Sequence, residues 1–135
     1  MFNVLNDLRV VEMAAFVAGP LAGMTLAQLG ARVIRVDDVG GNADIGRWPI
    51  AANGKSLYWA GLNKAKQSLC VDLGDERGQA LVADLICDDA PGAGILITNF
   101  PMKGWLAYEK RAVRPCQSPV ICTTIRSGRR AASFS

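Results

Sequence analysis

The 135 residues contain no histidine, no C-x-x-C pair and no G-x-G-x-x-G. Each absence closes a route. Without imidazole there is no Ser-His or Cys-His nucleophile pair, and the common zinc sites lose their usual nitrogen ligand. Cys70, Cys87, Cys116 and Cys122 are therefore expected to be small buried hydrophobes of a reducing cytosol. No signal peptide is expected from the N-terminal residues, where Asp7 and Glu12 interrupt the apolar run. The longest uncharged stretch, Met13 to Ala31, is broken by Pro20 and rich in Gly and Ala, which suits a soluble unit better than a membrane span. The formal charge of +3 resides in Arg126, Arg129 and Arg130 of the last ten residues; the body is neutral and carries no nucleic-acid footprint.

What is present is an alternation of strands and helices. Half of the residues are hydrophobic, enough for one cored domain. "RVVEM" (9–13), "RVIRVD" (32–37), "SLCVDL" (68–73), "GILITNF" (94–100) and "VICTTI" (120–125) read as strands. Pro20 suits a first helical turn and Gly30 a C′ position, so a helix of about ten residues lies between them. Residues 75–88 pair Leu81 with Leu85 and Val82 with Ile86 at i,i+4 spacing, behind Asp75 and Glu76, where the helix dipole favours acids. The order is β-α-β, a long loop with a short helix, then β-α-β and a last strand. It predicts an α/β, Rossmann-like domain with a mainly parallel sheet over 1–125 and a basic unstructured tail over 126–135.

Several motifs carry two readings each. "GNADIGRW" has P-loop spacing between Gly41 and Gly46, but it ends in Arg47-Trp48 and Pro49 blocks the helix that should follow; it is a decoy. The turn "FVAGP" (16–20) admits a ligand to the backbone beside a helix N-terminus, or simply a close strand–helix crossing at Ala18 and Gly19. Lys64 and Lys66 form a solvated basic loop or steer a phosphate. Asn99 and Phe100 end a buried strand, where open α/β sheets gather ligands, though Asn99 also fits an ordinary turn.

Taken together, "LRVVEMAAFVAGPLAGMTLAQLGARVIRVDDVGG", "SLYWAGLNKAKQSLCVDLGDERGQALVADLI" and "ILITNF" resemble the N-terminal region of the class III (CaiB/BaiF-type) CoA-transferases, from residue 7 to about residue 125. The resemblance implies that coenzyme A lies over the domain without the NAD fingerprint. It places Phe16, Val17 and Ala18 against CoA, Asn99 and Phe100 beside it, and Val71 near the adenine. Lys66 matches the lysine of the family's N-x-x-K-R-S motif, with Gln67 where arginine is usual, and Asp38 stands where some members place a CoA-binding arginine.

The implied chemistry is CoA transfer between carboxylic acids through an aspartyl anhydride. "RWP", "LYWAGLNK" and "ITNFPMKGWLAYEK" are most similar to members that move CoA between two carboxyls of one C5 diacid. The expected substrate is the CoA thioester of a small dicarboxylic acid, with no separate cofactor and no metal. No catalytic residue is assigned: the family's aspartate belongs to a downstream motif, which Asp37, Asp38, Asp72 and Asp75 do not match. From "YEKRAVRPCQSPVICTTI" onward the chain departs from the family, as a truncated or frame-shifted reading would. The expectation is a cytoplasmic N-terminal portion, partial relative to the family fold and inactive alone; the alternative is an inactive fragment or a stand-alone CoA-binding module. Relatives of full length form interlocked homodimers, so this portion is expected to expose apolar surface and self-associate.

Overall fold

A computed structural model describes residues 3–101, 103–107 and the backbone of 120–122. The elements in chain order are β1 (Arg9–Met13), α1 (Ala18–Gln28), β2 (Arg32–Asp38), α2 (Leu57–Leu62), β3 (Gln67–Val71), α3 (Glu76–Ile86), β4 (Ile95–Thr98), a 3₁₀ turn (Gly104–Leu106) and β5 (Val120–Cys122). All pairings between these strands are parallel, in the order β3-β2-β1-β4-β5. This is the α/β alternation expected from the sequence. The expected tail, Cys116 and residues 123–125 lie outside the described residues.

Local chemistry explains the boundaries. Helix α1 stops at Leu29, and Gly30 follows at φ 109°, a left-handed C′ position that a side chain would strain. Helix α3 starts at Asp75, whose side chain accepts from the Arg77 amide, with Glu76 in the first turn. Its inner face is Val82 and Ile86, both fully buried, while Leu81 is exposed.

The two sheet faces differ. Against α3, Val11, Met13, Val36, Val71 and Leu96 build a wholly apolar cluster with Val82 and Ile86. Against α1, Val10, Val33 and Ile97 pack on Ala27 and Ala31. Toward the carboxyl ends of the strands that same face turns ionic, because Glu12, Arg35 and Asp37 alternate with apolar neighbours and point to α1. Gly23 of α1 makes room there: a Cβ on it would overlap the Glu12 carboxylate. Gly19 has the same role one turn earlier, since its Cβ would overlap that of Ala14.

One sequence expectation is corrected. Cys70 is exposed, because β3 is an edge strand and its outer positions are uncovered, and Cys87, at the C-terminal cap of α3, is only half-buried. Among the described residues, no helix is long and apolar enough to cross a membrane.

Candidate functional site

In the order β3-β2-β1-β4-β5 the connections reverse direction between β1 and β4, the switch point at whose carboxyl ends open α/β sheets gather ligands in a crevice. Two segments meet there. Strand β1 runs through Ala14 and Ala15 into the turn Phe16-Val17 before α1, and β4 ends at Asn99-Phe100. The Asn99 side chain joins them, its Oδ1 accepting from the Ala15 amide at 3.0 Å and its Nδ2 donating to the Ala15 carbonyl at 2.7 Å. Both main-chain groups of Ala15 are thereby satisfied where the sheet ladder stops.

The next residue leaves the strand abruptly. Phe16 has φ 67°, a conformation that non-glycine residues rarely adopt, and its amide donates to Asp44 Oδ2 at 3.0 Å. Its ring is turned outward, 43% of the residue being exposed, and the guanidinium of Arg47 lies 5.3 Å from the ring centre. The same guanidinium lies 4.9 Å from the ring of Tyr58 on α2. Val17 is also exposed, and it caps α1 with no side-chain hydrogen bond and no acid in the first turn. Among the described residues no side chain caps the first amides of α1, those of Ala18 and Gly19.

Beneath this turn lies a buried ionic network that sequence reading did not anticipate. Arg35 is surrounded by Asp37 at 2.9 Å, Asp44 at 3.1 Å and Glu12 at 3.5 Å, and donates to Asn63 Oδ1 at 2.8 Å. Lys66 Nζ reaches both Glu12 oxygens at 2.8 and 2.9 Å, the Pro20 carbonyl and Asn63 Oδ1. Burial raises the Glu12 carboxyl above its ordinary range, although Lys66 and Arg35 pull it the other way. Burial likewise lowers Lys66, against the opposing pull of Glu12. For Arg35, burial works against the charge, but Asp37, Asp44 and Glu12 outweigh it and raise the guanidinium above its ordinary value. The signal was present in the sequence: Glu12, Arg35 and Asp37 are charges at inward positions of otherwise apolar strands, and such charges are buried only when paired.

The residues expected to contact CoA separate into three places. Phe16, Val17 and Ala18 stand together with Asn99 at the crevice, and Phe100 follows at its rim, its ring packed on the apolar cluster of the α3 face. Val71 is buried at the carboxyl end of β3, two strands from β1. Lys66 is under α1, its ammonium engaged internally and its side chain 2% exposed. Asp38, at the position of the family's arginine, accepts from the amides of Val39 and Leu73.

A parallel sheet of this order, with helices on both faces, defines a Rossmann-like α/β domain. Residues 5–127 match CoA-transferase family III. The chain is 57% identical over 111 residues to 2-methylfumaryl-CoA isomerase of Chloroflexus aurantiacus, covering 82% of this chain and 27% of that protein. It is 38% identical over 97 residues to succinyl-CoA–D-citramalate CoA-transferase of the same organism, covering 71% and 23%. Among solved structures, a CAIB/BAIF family protein from Brucella suis superposes with a TM-score of 0.68 at 34% identity, over 81% of this chain and 30% of that one. The chain belongs to CoA-transferase family III and spans about a quarter of the length of these curated relatives.

Proposed function

We propose that this chain is the CoA-binding N-terminal portion of a CoA-transferase acting on 2-methylfumaryl-CoA (mesaconyl-CoA), moving CoA from one carboxyl of the diacid to the other. The carrying observation is the 57% identity to 2-methylfumaryl-CoA isomerase. The crevice geometry agrees with it: Asn99 fixes the turn so that Phe16 and Val17 meet the ligand rather than the core.

In this reading an enzyme aspartate attacks the thioester carbonyl, expelling CoA thiolate and leaving a mixed anhydride; thiolate then attacks the aspartyl carbonyl, giving an enzyme thioester and the free diacid. The diacid's other carboxylate attacks that thioester and expels thiolate again, and thiolate attacks the acyl carbonyl of the second anhydride, releasing the product and the aspartate. The amides at the start of α1 and the Phe16 turn would hold CoA close to this chemistry. Carboxylates near the crevice are otherwise occupied. Asp37 and Asp44 are clasped by Arg35, Asp38 accepts two amides, and Asp72 accepts from the Gly74 amide. The nucleophile therefore comes from outside the described residues, and the chain alone binds CoA without turning it over. Self-association through exposed apolar side chains at this edge, including Trp48 at 79% exposure, belongs to the same reading.

A calorimetric titration with CoA, run beside a chromatographic assay of 2-methylfumaryl-CoA isomerisation, tests it. Saturable binding without turnover is the expected result. Turnover by this chain would put the nucleophile among its own carboxylates. Absence of binding would overturn the proposal and favour an inactive family-like fragment.

A further inference from the structure

Arg47 is exposed, yet both its backbone and its guanidinium are held. Its amide donates to the Asp44 carbonyl at 3.2 Å and its carbonyl accepts from the Ser56 hydroxyl. Its guanidinium lies over the rings of Phe16 and Tyr58. No carboxylate or carbonyl of the described residues accepts from that guanidinium. Arg35 offers the contrast within the same molecule: it also lies over a ring, that of Trp59 at 5.5 Å, but its donors are filled by three carboxylates and Asn63. A second observation points to the same place. The hydroxyl of Tyr58 is buried and has no hydrogen-bond partner among the described residues, an arrangement that is costly unless something arrives to fill it.

We infer that Arg47, seated between Phe16 and Tyr58 at the β1–β4 crevice, receives the free carboxylate of an acyl-CoA that carries a second carboxyl group. This rests on the CoA-binding reading above and adds to it the residue that recognises the second carboxyl group. With its flat faces on aromatic rings, a guanidinium presents its N–H edge, and a carboxylate matches that edge with two parallel hydrogen bonds. The rings fix the guanidinium plane, and the unpartnered Tyr58 hydroxyl belongs to one of those two rings. A CoA phosphate has the same affinity for a guanidinium, so the test separates the two anions.

The probes are 2-methylfumaryl-CoA, crotonyl-CoA (a thioester without the second carboxylate) and CoA itself, titrated into the full chain and into Arg47→Gln and Arg47→Lys. In the native chain 2-methylfumaryl-CoA is expected to bind at least about tenfold more tightly than crotonyl-CoA, the scale of one charge-assisted pair. Arg47→Gln brings that ratio to about one, and Arg47→Lys leaves an intermediate value because it keeps charge but not the fork. If Arg47→Gln weakens all three ligands alike and the ratio persists, Arg47 meets a CoA phosphate and the inference is overturned. Equal affinities for both thioesters in the native chain overturn it while leaving CoA binding intact. Failure to bind any of the three removes the CoA-binding reading and this inference with it.

Discussion

Asn99 and Ala15, at the ends of adjacent strands, exchange two hydrogen bonds in which one side chain takes the place of a missing strand partner. An amide side chain is the right group for this, because it offers one acceptor and one donor at the spacing of a peptide. The clasp completes the backbone of Ala15 one residue before Phe16 turns away at positive φ, and so sets where the turn stands relative to β4. Asn99→Ala is expected to lower stability by about 1–3 kcal/mol through the two lost bonds. Asn99→Asp puts an acceptor against the Ala15 carbonyl and is expected to be at least as damaging. Urea unfolding of the two variants checks this order; an Asn99→Asp chain as stable as the native one would contradict it.

Phe16 and Asp44 separate stability from binding. Phe16→Gly removes positive-φ strain, worth about 1 kcal/mol, at the cost of the ring that flanks Arg47. Its thermal midpoint should stay near that of the native chain while affinity for acyl-CoA falls. Asp44→Ala should do worse on both counts, since it leaves the Phe16 amide unpaired and removes one carboxylate from Arg35. Comparable melting losses for the two variants would show that Asp44 does not hold the turn.

The buried pair Glu12–Lys66 should behave as a unit. Lys66→Met and Glu12→Gln each strand a partner away from water, with an expected loss of about 3 kcal/mol. The double variant leaves no stranded charge in the pair and is expected to recover at least half of the summed losses. Additive losses in a double-mutant cycle would sink the coupling.

A pH dependence follows from the same network, in which three carboxylates face two cations. Burial raises the Glu12 carboxyl, so the folded chain holds that proton more tightly than the unfolded one. The contribution is fully present below the ordinary carboxylate range and is lost as pH rises through the raised folded value. Lys66 has the opposite sign: its folded value is lowered by burial, so stability rises with pH below the ordinary lysine range. Unfolding midpoints taken across mildly acid pH should show a downward slope that Glu12→Gln abolishes. An unchanged slope in that variant would assign it to other groups.

The fold was legible because its signals are local. Apolar runs at regular intervals, Gly30 after α1 and acids before α3 mark the elements, and their alternation leads to a parallel sheet. The crevice was legible through Asn99 and Phe100 at the end of a buried strand. Two features were not. The turn 16–20 fits either a ligand approach or a close crossing at Ala18 and Gly19; the structure shows a crossing of Gly19 against Ala14, and leaves Phe16 and Val17 exposed just before it. The ionic network joins residues as distant as Glu12 and Lys66, whose pairing depends on α1 passing over β1 at Gly23. Charges at inward strand positions announced that partners were needed, but not which ones.

Gly23→Ala tests that passage directly. The added methyl falls on the Glu12 carboxylate and must displace either α1 or the ion pair, with an expected cost of about 2 kcal/mol. A native-like midpoint in urea would mean that α1 has freedom to lift from the sheet.

The central claim is that CoA sits at the β1–β4 crevice, and backbone amide shifts recorded during a CoA titration test it most directly. The account predicts that the largest changes fall on Phe16, Val17, Ala18, Asn99 and Phe100, and that they saturate together. Shifts gathered instead around Arg9 and Arg32, which line a cavity at the amino ends of β1 and β2, or no saturable shifts at all, would contradict it.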